Sequence, residues 1–247
     1  MPLSTESIIH YTSKYEYLTS IIKEGFRIKY CAEEIALDNG TSKSAHPMLS
    51  FCDIPLSASK EHFEKYGNYG IGLSKKWAKK TGINPVIYID KDSLIAETLL
   101  KFFRERRKLT KSNLTKEQRN DILRIRSYMK NYSGDLRRKN GDVLKDYKFF
   151  DEREWRLIPT RDQINGAKFS IHLKDYNKDR DAYNDRLKDC RIPFSISDIS
   201  YIIVNEESEV KSMINFLTET FPEEYQNGEL MYVFTKICTI KQIVEDY

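Results

Sequence analysis

Short apolar runs alternate with helical patterns along the first 90 residues, and this alternation restricts the chain to folds that mix helices and strands. Residues 7–11, 47–54 and 85–89 are short runs rich in apolar side chains, and we predict a strand for each. Between the first two, a capping box that begins at Ser13 predicts the start of a helix, and Gly25 predicts its end.

The rest of the chain continues this mixed pattern. The further predicted elements are a helix at 57–66, a strand within 66–74, a short helix from Ser74 to Gly82, two helices within 91–132, a strand at 147–159, a polar linker at 176–189, a strand at 201–204, a helix at 210–221 and a strand at 232–240. We therefore predict a single α+β domain over residues 1–247, with a mixed sheet and a basic helical insertion at about 91–140.

Composition narrows the class of protein. Hydrophobic residues make up 40% of the 247 residues and aromatic residues 12%, which is enough for a packed core. No apolar run approaches the ~20 residues that a membrane span needs, and the first residues lack a basic region followed by an apolar one. The four cysteines are widely separated and show no metal-ligand spacing. We expect a cytoplasmic protein with no membrane segment, no disulfide framework and no bound metal.

Positive charge is concentrated in one segment. Residues 101–140 hold 14 Lys and Arg against 4 Asp and Glu, although the whole chain carries only +4. Such a segment can attract nucleic acid, a nucleotide phosphate or an acidic partner. Basic side chains interleaved with aromatic ones suit single strands. The candidate nucleic-acid-binding residues are Arg104, Arg107, Arg137 and Arg138. The alternative is a solvated helical face with no ligand.

A Glu-x-Glu-x-Arg pattern lies in the predicted strand at 147–159. Strand periodicity would place Glu152, Glu154 and Arg156 on one face of that strand. Two neighbouring carboxylates ionise together in a partly buried site only when a cation lies beside them, so the pattern fits a cleft with tuned carboxylates. The same pattern is also typical of an exposed, inert edge strand.

Motifs for other chemistries are missing from the sequence. It contains neither a Gly-x-Ser-x-Gly nucleophile motif nor a phosphate-binding glycine loop. Gly67, Gly70 and Gly72 would still let a ligand approach the backbone closely. His10 ends the first predicted strand, and taken alone it is interpreted as a structural histidine.

Several motifs resemble two known families. The strings IIHYT at 8–12 and YLTSIIKEGF at 17–26 resemble the opening of DarT-like ADP-ribosyltransferases. The strings PMLSFCDIPLS at 47–57, HFEKYGNYGIGLSKKW at 62–77 and DEREWR at 151–156 are similar to the AbiGi family of abortive phage infection, which is often labelled an antitoxin. This second resemblance covers most of the chain.

The resemblance to the transferases implies an ADP-ribosyltransferase-like fold and a site for NAD as substrate. By motif position His10 would bind the adenosine ribose, Tyr69 would lie near the nicotinamide, and Glu154 would bind the nicotinamide ribose. Glu152 would orient the nucleophile, and the neighbouring Tyr11 and Arg156 are assigned to the same site. The family's middle-strand Ser-Thr-Ser is replaced here by residues 49–51, Leu-Ser-Phe.

The predicted function is phage defence by NAD cleavage, with ADP-ribose transferred to a macromolecular target such as nucleic acid or protein. The main alternative is a non-catalytic antitoxin or interaction module that binds a partner toxin. A third hypothesis is a simple nucleic-acid binder.

Overall fold

The computed structural model describes residues 4–37, 40–108, 113–137 and 141–246. The strands are β1 (Ser7–Thr12), β2 (Phe26–Arg27), β3 (Lys29–Leu37), β4 (Gly40–Cys52), β5 (Tyr69–Ser74), β6 (Asn84–Pro85), β7 (Ile87–Ile89), β8 (Met129–Asn131), β9 (Ser133–Arg137), β10 (Val143–Lys148), β11 (Glu154–Leu157), β12 (Ile171–His172), β13 (Arg191–Ile192), β14 (Ile199–Val204) and β15 (Ile237–Thr239). The α-helices are α1 (Tyr15–Glu24), α2 (Lys60–Tyr66), α3 (Lys75–Thr81), α4 (Leu94–Arg107), α5 (Lys116–Ser127), α6 (Leu173–Tyr176), α7 (Arg180–Asp185), α8 (Glu207–Thr220), α9 (Pro222–Gln226), α10 (Glu229–Phe234) and α11 (Ile240–Asp246).

The chain forms two compact units, each assembled from separate stretches of sequence. The first unit comprises Met1–Arg27, Ser50–Ile83 and Arg191–Tyr247, and the second comprises Ile28–Leu49 and Asn84–Cys190. Each unit contains both helices and strands, as the mixed sequence pattern predicts.

The first unit is built on a mixed sheet in which β1 is paired with β5, β5 with β14, and β14 with β15. The pairs β1–β5 and β5–β14 are antiparallel, whereas β14 and β15 run parallel. The end of β4 pairs with β1 at Cys52 and Ile9. Ile9, Ile203 and Ile243 are almost fully buried in one hydrophobic cluster of this unit.

Two glycines of β5 make room for the neighbouring strand. A Cβ atom on Gly72 would lie 2.9 Å from Cδ2 of Tyr201, and one on Gly70 would lie 3.3 Å from Cδ1 of Ile203. The space above these glycines is therefore filled by side chains of β14, and the prediction that they admit a ligand to the backbone is wrong for these two positions.

The second unit is organised around the long hairpin of β3 and β4, which stay in register from Lys29↔Met48 to Leu37↔Gly40. Strand β11 lies between β4 and β6 in the strand order, and β7 pairs in parallel with β8. Helices α4 and α5 lie in the predicted helical insertion at 91–140, but this segment also contains strands β8 and β9. Leu100 and Phe103 of α4 are buried with Ile35 of β3 and Met129 of β8, so the helices share the apolar core of the second unit.

Several sequence predictions differ from the structure. Helix α1 begins at Tyr15 with Lys14 as its N-cap and no side-chain cap, so the capping box predicted at Ser13 does not form. The strand predicted at 232–240 is confirmed only for β15 (Ile237–Thr239), since α10 extends to Phe234 and α11 begins at Ile240. Leu230 and Val233 of α10 are buried at helical spacing. The linker predicted at 176–189 contains α7, which Asp179 caps by accepting a hydrogen bond from Ala182 N at 2.9 Å.

Gly67 is expected to tolerate no side chain. Its φ is +121°, and a Cβ atom there would lie near the Ser13 backbone, whereas Gly82 has φ +83° with nothing within 4 Å. We expect Gly67→Ala to lower the free energy of unfolding by about 2–3 kcal/mol, since such backbone conformations are nearly exclusive to glycine. Gly82→Ala should cost about 1 kcal/mol for left-handed strain alone. Urea denaturation measures both, and equal losses would contradict the close contact.

Candidate functional site

The predicted Glu-x-Glu-x-Arg pattern forms a buried network of ion pairs in the second unit. We call Glu33, Lys130, Glu152, Glu154 and Arg156 the charge cluster. Lys130 Nζ lies 2.6 Å from Glu152 Oε2 and 3.0 Å from Glu154 Oε2. Arg156 donates from Nε to Glu154 Oε1 at 2.6 Å, from Nη2 to Glu154 Oε2 at 2.9 Å, and from Nη2 to Glu33 Oε1 at 2.8 Å. The exposed-edge alternative is thereby wrong for these residues.

The backbone brings the two glutamates together in a way that strand periodicity does not predict. Glu152 ends a 3₁₀ turn, Phe149–Glu152, and Arg153 follows with φ +45° before β11 begins at Glu154. The prediction of one strand face carrying all three charged residues is therefore wrong, because a left-handed residue breaks the strand between the glutamates. Lys130 of β8 bridges the two carboxylates instead.

The position of Glu154 is also set by its backbone. Its N–H donates to the Tyr88 hydroxyl at 2.8 Å, and its carbonyl accepts from the N–H of Val86 at 2.9 Å. Burial raises the pKa of Tyr88 to about 12, so this hydroxyl stays neutral. The glutamate thus has little freedom to move within the second unit.

Burial and charge keep both cations of the charge cluster protonated. Burial alone would lower the pKa of Lys130, but Glu154 and Glu152 outweigh it and raise that pKa above its usual range. For Arg156, which is fully buried, the pKa is likewise raised by Glu33 and Glu154 against the effect of burial. The Cys31 thiol has its pKa raised to about 12 by desolvation and then by Glu33, so it stays protonated.

His10 lies on β1 in the first unit and is half-buried. Its Nδ1 is 2.8 Å from the carbonyl oxygen of Ser50, and because a carbonyl only accepts, Nδ1 carries the proton. The ring packs edge-on against Phe26 and Phe51, with centroid distances of 5.3 and 5.7 Å. These contacts set the orientation and the tautomer of the imidazole.

The two tyrosines assigned to the NAD site also belong to the first unit. Tyr11 is buried in the hydrophobic cluster, and its hydroxyl donates to Ser59 Oγ at 2.8 Å; burial raises its pKa. Tyr69 is half-buried and donates to Glu209 Oε1 at 2.8 Å, while desolvation and this carboxylate raise its pKa to about 12. Their assignment to NAD binding stays a prediction.

The structure thus brings Glu152, Glu154 and Arg156 together and adds two members that sequence reasoning missed. Lys130 contacts Glu152, which is 22 residues away along the chain. Glu33 contacts Arg156, which is 123 residues away. The one feature that could have indicated a partly buried Lys130 is its position between Met129 and Asn131, whose side chains are both buried. No local pattern marks Glu33.

The predicted nucleic-acid-binding residues have different surroundings. Arg104 and Arg107 are exposed on α4, Arg137 ends β9, and Arg138 lies outside the described residues. Arg107 also lines a cavity of about 630 Å³ in the second unit, which we call the basic cavity. Its other basic lining residues are Lys43, Arg106, Arg126, Arg161, Lys168 and His172.

A buried histidine beside this cavity predicts acid sensitivity. Burial lowers the pKa of His46 to about 3, helped by Arg126 and opposed by a bond to the Phe169 carbonyl. Below pH ~6.5 the histidine is protonated in the unfolded chain but stays neutral in the folded chain. The free energy of unfolding therefore decreases as the pH is lowered. We expect a loss of about 2 kcal/mol between pH 7 and 5 from this group.

Urea denaturation at both pH values tests the loss. His46→Gln should remove that part of the pH dependence, whereas His172→Gln, at an exposed position, should leave it in place. An unchanged dependence in His46→Gln would refute the assignment.

Comparison with known proteins finds one family and one curated relative. The family model described as "Putative abortive phage resistance protein AbiGi, antitoxin" matches residues 24–205. The "Abortive phage resistance protein AbiGi" of Lactococcus lactis subsp. cremoris is 26% identical over 224 residues, covering 81% of this chain and 88% of the relative. No solved structure is significantly similar to the chain. Within the described ranges, each helix is too short or too polar to span a membrane.

Proposed function

We propose that the chain, which belongs to the AbiGi family of abortive phage resistance proteins, acts in phage defence. We propose further that it does so by transferring ADP-ribose from NAD to a macromolecule. The observation that carries the proposal is the buried carboxylate of Glu154, held by Arg156 and Lys130 in the charge cluster. Glu154 is the proposed catalytic residue.

The charge of the cluster suits this chemistry. Its three carboxylates and two cations carry a formal net charge of −1. When nicotinamide leaves, the bond between its nitrogen and the ribose C1′ breaks and the electron pair departs with nicotinamide. The sugar becomes positive, and a pre-positioned negative group stabilises that charge. The fixed orientation of Glu154 limits the reorganisation that the step requires.

Glu152 is the proposed base for the second half of the reaction. A nucleophile of the target forms a bond to C1′ and loses its proton to the Glu152 carboxylate, a role worth typically 10²–10⁴-fold in rate. Lys130 bridges Glu152 and Glu154 and positions both carboxylates. His10, Tyr11, Tyr69 and Arg156 as NAD-binding residues, and nucleic acid as the target, stay predictions of the sequence.

The experiment uses NAD labelled in its adenylate part. The purified chain is incubated with this NAD and with DNA, RNA or total protein, and released nicotinamide and bound label are measured together. We expect nicotinamide release and label on one class of macromolecule. Intact NAD with every target would refute the transferase proposal.

A second function, binding a partner toxin, is favoured by a different observation. Helices α4 and α5 carry exposed apolar side chains. The description of the family also includes the word antitoxin. Leu94, Ile95, Phe102 and Ile125 are each 46–83% exposed. A surface of this kind is typical of protein interaction sites. This function requires no catalysis, so it predicts phage protection that survives Glu154→Gln.

A further inference from the structure

The basic cavity has the chemistry of an anion site. Six of its lining residues are Lys or Arg, and the described lining contains no Asp or Glu. These cations come from four stretches of the second unit: β4, α4, α5 and the segment 161–168. Such convergence of like charges is unfavourable in an empty protein cavity, because each cation raises the energy of its neighbours.

Arg126 is the lining residue that points most directly to an anionic ligand. The residue is only 2% exposed. Its Nε donates to Ser42 Oγ at 3.0 Å, and its Nη2 donates to the carbonyl oxygens of Glu33 at 2.9 Å and Ser42 at 3.1 Å. Its Nη1 is buried without a hydrogen-bond partner among the described residues. A buried donor without an acceptor is costly, and an anion in the cavity could supply the acceptor.

The nearby acids offset only part of the positive charge of this cavity, because Glu34 pairs with one of the six lining cations, Lys43. The Glu33 carboxylate, which acts on Arg126 through space, is bonded to Arg156. Glu34 pairs with Lys43 at 2.7 Å, and this pair is about half exposed. Burial, with Arg156 and Arg107, lowers the pKa of Arg126 to about 10, against the effect of Glu33. Arg126 is still charged at neutral pH, so the cavity remains strongly positive.

We propose that the basic cavity binds the phosphate groups of a nucleoside polyphosphate. Guanidinium groups match phosphate oxygens in pairs, and a chain of two or three phosphates carries enough charge to balance several cations. The cavity volume of about 630 Å³ lies in the range of small-molecule sites. The half-buried ring of Phe169 lines the same cavity, with the Arg124 guanidinium 6.0 Å from its centroid, and it would be the apolar contact for a base.

Titration calorimetry tests this binding with ATP, inorganic tripolyphosphate and adenosine. We expect ATP and tripolyphosphate to bind at 50 mM salt and to weaken steeply at 200 mM, while adenosine binds at least tenfold more weakly than ATP. The double variant Arg161→Ala/Lys168→Ala, at exposed positions, should weaken ATP at least tenfold. Arg126→Gln should do the same where circular dichroism shows it folded.

Arg104→Ala is the matched control, because Arg104 is exposed on α4 beside Arg106 and Arg107 but does not line the cavity. It should change ATP affinity less than twofold. Equal weakening by Arg104→Ala, adenosine binding as tight as ATP, or absence of ATP and tripolyphosphate binding would each overturn the proposal.

A 12-nucleotide single strand of nucleic acid is the last ligand to be titrated in this experiment. Binding of the strand without ATP or tripolyphosphate would also overturn the proposal in favour of a nucleic-acid surface. The readout needs no NAD cleavage, so its failure is separate from a failure of the transferase proposal.

Discussion

Glu154→Gln is expected to reduce nicotinamide release from NAD by about 10²–10³-fold, the effect of removing one pre-positioned group that stabilises transition-state charge. The substitution keeps the size of the side chain and one of its two acceptor oxygens, but it replaces the other oxygen by an NH2 group and removes the negative charge. The measurement is the initial rate of nicotinamide release by the purified variant and the wild type.

Glu33→Gln is the matched control for this prediction. Glu33 belongs to the same charge cluster and bonds to the same Arg156, so its loss perturbs the network in a similar way. We expect Glu33→Gln to retain activity within about tenfold, since it is not proposed to contact the sugar. Equal losses in the two variants, with matched thermal stability, would show that the cluster is structural.

Arg156→Met is expected to lower the free energy of unfolding by about 3–5 kcal/mol, the cost of breaking a buried ion pair from one side. Arg156 is fully buried, and it bonds to Glu154, Glu33 and the Ser127 carbonyl oxygen. Its removal leaves three carboxylates with Lys130 as the remaining cation of the charge cluster. Urea denaturation measures the loss, with Arg104→Met at an exposed position as control.

The pH dependence of this variant follows from the same contacts. Without Arg156 the three carboxylates and Lys130 of the charge cluster carry a formal net charge of −2 in a buried site, and a lower pH reduces such an excess of negative charge. Its stability deficit should therefore shrink as the pH falls from 7 toward 5. A loss below 1 kcal/mol, or a deficit that grows in acid, would contradict the role given to Arg156.

Local signals in the sequence predicted much of the secondary structure. Ser74 caps α3 by accepting a hydrogen bond from Trp77 N, Gly25 follows the last residue of α1, and β1 and β14 follow their apolar runs. These features depend on residues that are neighbours in sequence. The strand predicted at 232–240 begins within the end of α10, because a short apolar run alone does not distinguish a helix from a strand. The burial of Leu230 and Val233 shows the helical period.

The candidate site was less predictable because its contacts are long-range. The pattern around Glu154 was visible, but the break at Arg153 depends on a backbone conformation that few residues other than glycine adopt. Lys130 and Glu33 reach the cluster through the folding of β8 and β3, and the basic cavity collects cations from four stretches of the chain. Residue spacing in the sequence does not predict such long-range contacts.

The central claim is that phage defence depends on the negative charge of Glu154. The most direct test compares phage plating on cells that hold equal amounts of the wild type, Glu33→Gln and Glu154→Gln proteins. Transfer chemistry at Glu154 predicts protection by the first two and its loss in the third. Equal protection by all three proteins would contradict the claim.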